Sequence, residues 1–152
     1  AWAERIRAGL EKHRPDTLLF TAHSVPEDPA DPYPRHLEET REGILPLLPA
    51  VRSDFAYQSA SSARLKWLGP DVDTKLKELR EQGIRRVMAA PISFLCDHAE
   101  VLYDLDHLHR KSAEDLGMTL TRCESLNDHP FLIQALAAVV REALAAAPRE
   151  EP

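Results

Sequence analysis

Four short segments of strand character, each separated from the next by a segment of helical periodicity, constrain this chain more than any other feature. Residues 17–20 (TLLF), 54–58 (DFAYQ), 86–95 (RVMAAPISFL) and 119–124 have strand length, and the third is apolar almost without interruption. Continuous rather than alternating apolar character marks strands buried on both faces, as in parallel sheets. Between them, Trp2, Ile6 and Leu10, then Leu37, Ile44 and Leu48, then Leu76 and Leu79, and then Val101, Leu105 and Leu108 recur at helical spacing. Strand-helix alternation of this kind requires right-handed crossovers that cover the sheet on both sides. The expected fold is therefore α/β, a three-layer doubly wound parallel sheet. With 152 residues, 43% of them hydrophobic, there is enough chain for one core. One domain over residues 1–147 and a polar tail over 148–152 are expected.

Punctuation refines the elements. Pro46 is expected to end the second helix, Pro70 to sit in the first turn of the third, and Gly83 to close it. Asp97-His98-Ala99-Glu100 has the D-x-x-E form of a capping box, opening a helix that runs to Gly117. Pro91 implies that the third strand's regular ladder ends near it. A last, alanine-rich helix over 131–147 is expected to bury Leu132, Leu136, Val139, Val140 and Leu144.

Several function classes drop out. A formal net charge of −6 disfavours nucleic acid as a partner, because tracking phosphates needs a basic patch. Cys96 and Cys123 have neither finger nor CxxC spacing, which fits a reducing, cytoplasmic setting. Cys96 is expected to be a buried thiol. No apolar run approaches the roughly 20 residues of a membrane span; membrane association is compatible with the chain but not required. There is no GxGxxG or GxxxxGK[ST] loop, and Ser59, Ser61 and Ser62 lie outside any GxSxG elbow. The first residues read as the interior of an amphipathic helix without an initiator Met, so a piece of a longer protein is expected.

Ligands of doubly wound sheets bind outside the carboxyl ends of the strands. His23, after the first strand, and Glu100, after the third, should therefore face one crevice. An imidazole can accept a proton or ligate a transition metal, and a carboxylate adds charge and hard oxygen ligation. Asp97, Glu100 and Asp104 could line one edge as an acidic track. Each has an ordinary alternative: a hydrogen-bonded loop histidine, a capping-box glutamate, a solvated helix face. His98, His107 and His109 are further candidate ligands, but His107 and His109, two apart on a helix, cannot serve one site. Phe20, Tyr57, Phe94 and Trp67 read mostly as core, although Trp67, in a loop, could wall a flat aromatic ligand.

Residues 18–26 (LLFTAHSVP), 57–70 (YQSASSARLKWLGP), 91–106 (PISFLCDHAEVLYDLD) and 124–130 (ESLNDHP) are similar, in that order, to the signature blocks of the ferrochelatase family. The resemblance extends from the start of the chain to about Leu144 and corresponds to the C-terminal domain of a two-domain enzyme. It implies insertion of ferrous iron into a porphyrin, either protoporphyrin IX or coproporphyrin III, in haem biosynthesis. His23 and Glu100 are implied as the catalytic pair, with Asp104 joining them as a metal contact and Ser24, Trp67 and Leu68 contacting porphyrin. Iron is then a substrate; no prosthetic group is implied, and the cysteines of the family's iron-sulfur members are missing. The chain alone is expected to be inactive without the N-terminal half. Relatives often carry an acid eight residues beyond the catalytic glutamate, where this chain has Leu108. Two alternatives remain: a half-length homodimeric chelatase acting on cobalt or sirohydrochlorin, and a tetrapyrrole- or metal-binding module without turnover.

Overall fold

The computed structural model describes residues 1–60 and 64–146. The chain runs α1 (Trp2–His13), β1 (Thr17–His23), α2 (Tyr33–Ile44) with a short 3-10 turn (Leu45–Leu47), β2 (Ser53–Gln58), α3 (Val72–Glu81), β3 (Arg86–Pro91) and α4 (Ala99–Tyr103). A π-helical stretch (Asp104–His109), α5 (Arg110–Asp115), β4 (Thr119–Arg122) and α6 (Pro130–Ala146) complete it. All strand pairs are parallel, in the order β2-β1-β3-β4. The chain moves outward from β1 to β2 and then returns across it to β3, so the switch point lies between β1 and β3.

Successive residues of each strand serve opposite faces. Leu19, Val87 and Ala89 join Leu76, Leu79, Val101, Leu105 and Ala113 on one side. Leu18, Phe20, Met88 and Ala90 join Trp2, Ile6 and Ile44 on the other. Two cores flanking one sheet make the expected three layers. α1 lies close against its layer because Gly9 has no Cβ; one there would come 2.6 Å from Met88 Sδ and 3.3 Å from Cys123 Cβ.

Several expectations are corrected. Pro70 precedes α3 rather than opening it: the helix starts at Val72, capped by Asp71, whose carboxylate accepts the Thr74 N–H at 2.7 Å. The capping box does not form, because α4 is flanked by His98 without a side-chain cap and the Asp97 carboxylate is bound elsewhere. Leu108 does not continue the buried stripe of Val101 and Leu105 and is 48% exposed. The inward row is instead Val101, Leu105, His109 and Ala113, four residues apart each time. Three such steps in an α-helix would drift about 120°; the wider π turn absorbs the drift.

α6 departs most. None of its residues is buried, and Phe131, Ile133, Leu136, Val139, Val140 and Leu144 are 47% to 71% exposed. Of the five residues expected to be buried there, only Leu132 packs against a core. Cys96 lies on the loop after β3 and is exposed rather than buried, whereas Cys123 is enclosed and burial pushes its thiol up to about 12. The tail expected over 148–152 lies outside the described residues. Among the described residues no helix is long and apolar enough to cross a membrane.

Candidate active site

β1 extends beyond its apolar run: the ladder carries it to His23, whose register partner on β2 is Gln58. His23 is fixed through its backbone. Its N–H donates to Ser93 Oγ at 3.0 Å, and its carbonyl accepts the Tyr33 hydroxyl at 3.0 Å. The ring's Nδ1 contacts the Ser24 carbonyl, and Nε2 lies 3.2 Å from Glu100 Oε1. A carbonyl only accepts, so Nδ1 carries a hydrogen. Nε2 is then the nitrogen turned toward the carboxylate. Phe94 stands beside this pair, 6.1 Å from the His23 ring and 4.9 Å from that of His98.

Glu100 is free to make this contact because the capping role is unfilled. It lines a cleft of about 440 Å³ together with Asp104, Leu108, Ser24 and Leu68. His23 is not itself a lining residue and reaches the cleft through Glu100 and Ser24. Ser24 is buried, its hydroxyl donating to the Leu68 carbonyl at 2.8 Å. Trp67 does not line this cleft; its backbone forms an isolated bridge with Pro26. The helix therefore turns Glu100, Asp104 and Leu108 toward the cleft. Asp97 leaves the expected acidic track, bound by Arg122, Ser125 and Asn127. His107 packs near the Tyr103 ring, 6.0 Å away, while His109 contacts Asp73, so the two histidines do serve different places.

Three cleft residues do not stand out in the sequence as site residues. The Ser59 hydroxyl donates to Asp104 from a backbone with φ of 65°, a conformation rare for a residue other than glycine. Gln58 is 1% exposed, and both polar atoms of its amide lack a hydrogen-bond partner among the described residues. Asp73, on α3, pairs with His109 Nδ1 at 2.9 Å. A polar residue closing a parallel strand is the available signal for Gln58; nothing local marks Asp73. Ser61 and Ser62 lie outside the described residues. Among the described residues, no three His, Cys, Asp or Glu side chains form a ready-made metal cage.

The hydrogen bond from His109 holds the Asp73 carboxyl below its usual range, outweighing the opposing effect of burial. Native Asp73 thus binds fewer protons than unfolded Asp73, and stability rises with pH through its titration. Its contribution should be complete above about pH 4 and vanish as the pH falls through the lower native value. Urea midpoints of the wild type and Asp73→Asn are expected to differ at about pH 5 and converge toward about pH 2. A gap that persists undiminished in acid would refute the linkage.

A family profile described as Ferrochelatase matches residues 1–144. The chain belongs to the ferrochelatase family. It is 38% identical to the ferrochelatase of Acidobacterium capsulatum, covering 95% of this chain and 51% of that protein. Identity to the ferrochelatase of Herpetosiphon aurantiacus is 39%, over 91% of this chain and 48% of the relative. For the coproporphyrin III ferrochelatase of Geobacillus thermodenitrificans the figures are 37%, 95% and 48%. The chain thus spans about half the length of these curated relatives. Among solved structures, a putative cobalamin biosynthesis CbiX protein from Marinobacter aquaeolei superposes with a TM-score of 0.60 at 19% identity, covering 86% of this chain and 98% of that one. That likeness shows a shared fold. Its three-layer parallel α/β architecture agrees with the one expected for a ferrochelatase domain.

Proposed function

We propose that this chain is the C-terminal half of a cytoplasmic ferrochelatase that inserts ferrous iron into a porphyrin, with His23 and Glu100 as its catalytic pair. The observation that carries the reading is their 3.2 Å contact at the switch point of the sheet, with Asp104 further along the cleft. Metal insertion replaces two pyrrole N–H protons. With Nδ1 holding its hydrogen against Ser24, Nε2 and the Glu100 carboxylate offer two acceptors, one for each proton. Both side chains are partly exposed, at 34% and 43%, which gives the protons a way out to water.

Ferrous iron is cargo here, and the reading calls for no prosthetic group or iron-sulfur cluster. Carboxylate oxygens of Glu100 and Asp104, with the imidazole of His23, suit a divalent first-row ion that must be released into the macrocycle. Such an ion is better served by an open pair and a neighbour than by a closed cage. Ser24 and Leu68 support porphyrin contact as cleft-lining residues, and the orphaned Gln58 amide supplies an unused buried donor and acceptor beside them. Trp67 has weaker support for that role, standing outside the cleft lining. The opposite wall is assigned to an N-terminal half, supported by the relatives' doubled length and by the uncovered apolar surface of α6.

The test is insertion of zinc or ferrous iron into proto- and coproporphyrin, followed by the absorbance change, in the protein carrying this segment with its complementary half. Insertion into one porphyrin identifies the substrate. A folded protein that binds porphyrin and never inserts metal would replace this reading by the binding-module one. Insertion by this chain alone as a dimer would favour the half-length chelatase.

A further inference from the structure

The segment that carries Glu100 and Asp104 bears two more carboxylates, Asp97 and Asp106, and one side chain holds both. Arg122, the last residue of β4, has a side chain only 12% exposed. Its Nη1 donates to Asp97 Oδ1 at 3.0 Å; its Nη2 donates to Asp106 Oδ2 at 3.1 Å, with Nε 3.3 to 3.4 Å from the same carboxylate. The residues after β4 complete the attachment. The Ser125 hydroxyl donates to Asp97 at 2.7 Å, the Asn127 amide donates to it at 3.1 Å, and Asn127 Oδ1 accepts the Asp97 N–H at 2.8 Å.

We propose that Arg122 is a positioning residue for metal handling: its guanidinium grips Asp97 and Asp106 and so fixes the intervening turn that aims Glu100 and Asp104 into the cleft. The chemistry of the grip explains the choice of residue. Four carboxylates within ten positions repel one another, and α4 has no side-chain cap to anchor its start. A planar fork can take two carboxylates at once, which a lysine ammonium cannot do with defined geometry. The two acids bound to Arg122 are removed from metal competition, and the two left facing the cleft become the metal's ligands. The π stretch interrupts the regular α-helical winding between Asp104 and His109, so an external tie at Asp106 acts where that winding breaks.

This inference rests on the metal-insertion reading, and its test has one arm that does not. In the protein carrying this segment with its complementary half, Arg122→Lys should raise the KM for the metal about tenfold, the scale found when residues supporting metal ligands are changed. The KM for porphyrin should stay unchanged. Asp106→Asn, which leaves Arg122 bound to Asp97, should move the metal KM in the same direction and serves if Arg122→Lys folds poorly. In the second arm, hydrogen exchange of amides 97–109 should accelerate in both variants while amides of β1 and β3 keep their protection. A metal KM equal to wild type in both variants, or protection lost uniformly through the sheet, would overturn the proposal and leave Arg122 a structural residue. If the wild type inserts no metal, the chelatase reading fails by itself, and the exchange pattern alone then decides whether Arg122 holds the turn.

Discussion

Replacing His23 with Ala is expected to slow metal insertion by about 10²- to 10⁴-fold, the range typical of a lost general base. Glu100→Ala should have an effect of the same order, because Nε2 and the carboxylate face each other at 3.2 Å and, in the proposed mechanism, share the protons leaving the porphyrin. Groups that act as a unit are non-additive, so the double variant should be little slower than either single one. Glu100→Gln is the informative companion, since it preserves shape while removing the capacity to take a proton. Porphyrin affinity should change far less than turnover in all of these. Neither side chain belongs to the buried cores, so melting temperatures should remain near that of the wild type. Initial rates of zinc-porphyrin formation provide the measurement, and wild-type turnover in either single variant would remove that residue from the mechanism.

The second large effect is expected at α6. Six apolar side chains there stand 47% to 71% in water, and covering them would be worth about 5 to 10 kcal/mol before the cost of association. A single helix cannot hide an apolar surface on all sides by packing along one edge of its own domain. The triple change Leu136→Asp, Val139→Asp and Leu144→Asp should leave the urea stability of the remaining chain within about 0.5 kcal/mol, as for exposed positions generally. It should abolish association with the proposed N-terminal half when the two are co-expressed and resolved by size. A complex that survives the three charges would show that this helix is not the joining surface; a chain that unfolds would show that α6 supports its own domain.

The contrast between these two regions marks what the sequence can reveal. The sheet is legible because parallel strands covered on both faces must be apolar throughout, and Leu18, Leu19 and Phe20 need no alternation to be read. His23 follows from the rule that ligands bind at strand carboxyl ends. Glu100 is ambiguous for a physical reason: Asp97 and Glu100 have capping-box spacing, and only the long-range grip of Arg122, Ser125 and Asn127 shows that Asp97 is occupied elsewhere. Leu108 falls outside the core because periodicity assumes 3.6 residues per turn, which the π stretch does not keep. The burial expected of α6 fails because an apolar stripe tells that a surface needs cover and not which polypeptide supplies it.

The π stretch also bears on how this helix could change over generations. A π turn arises when an α-helix gains one residue without lengthening its span, and the reverse event is a single-codon deletion. Such a deletion within 104–109 would restore regular winding, and would rotate everything before it by about 100° relative to everything after. Val101 and Leu105 could keep their places in the core only if Ala113 and His109 surrendered theirs, or the reverse. Point substitutions along the cleft face can therefore be accepted one at a time, while the length of the segment is locked. Among descendants of this protein, residues 97–113 should vary in identity at the cleft and hardly at all in number.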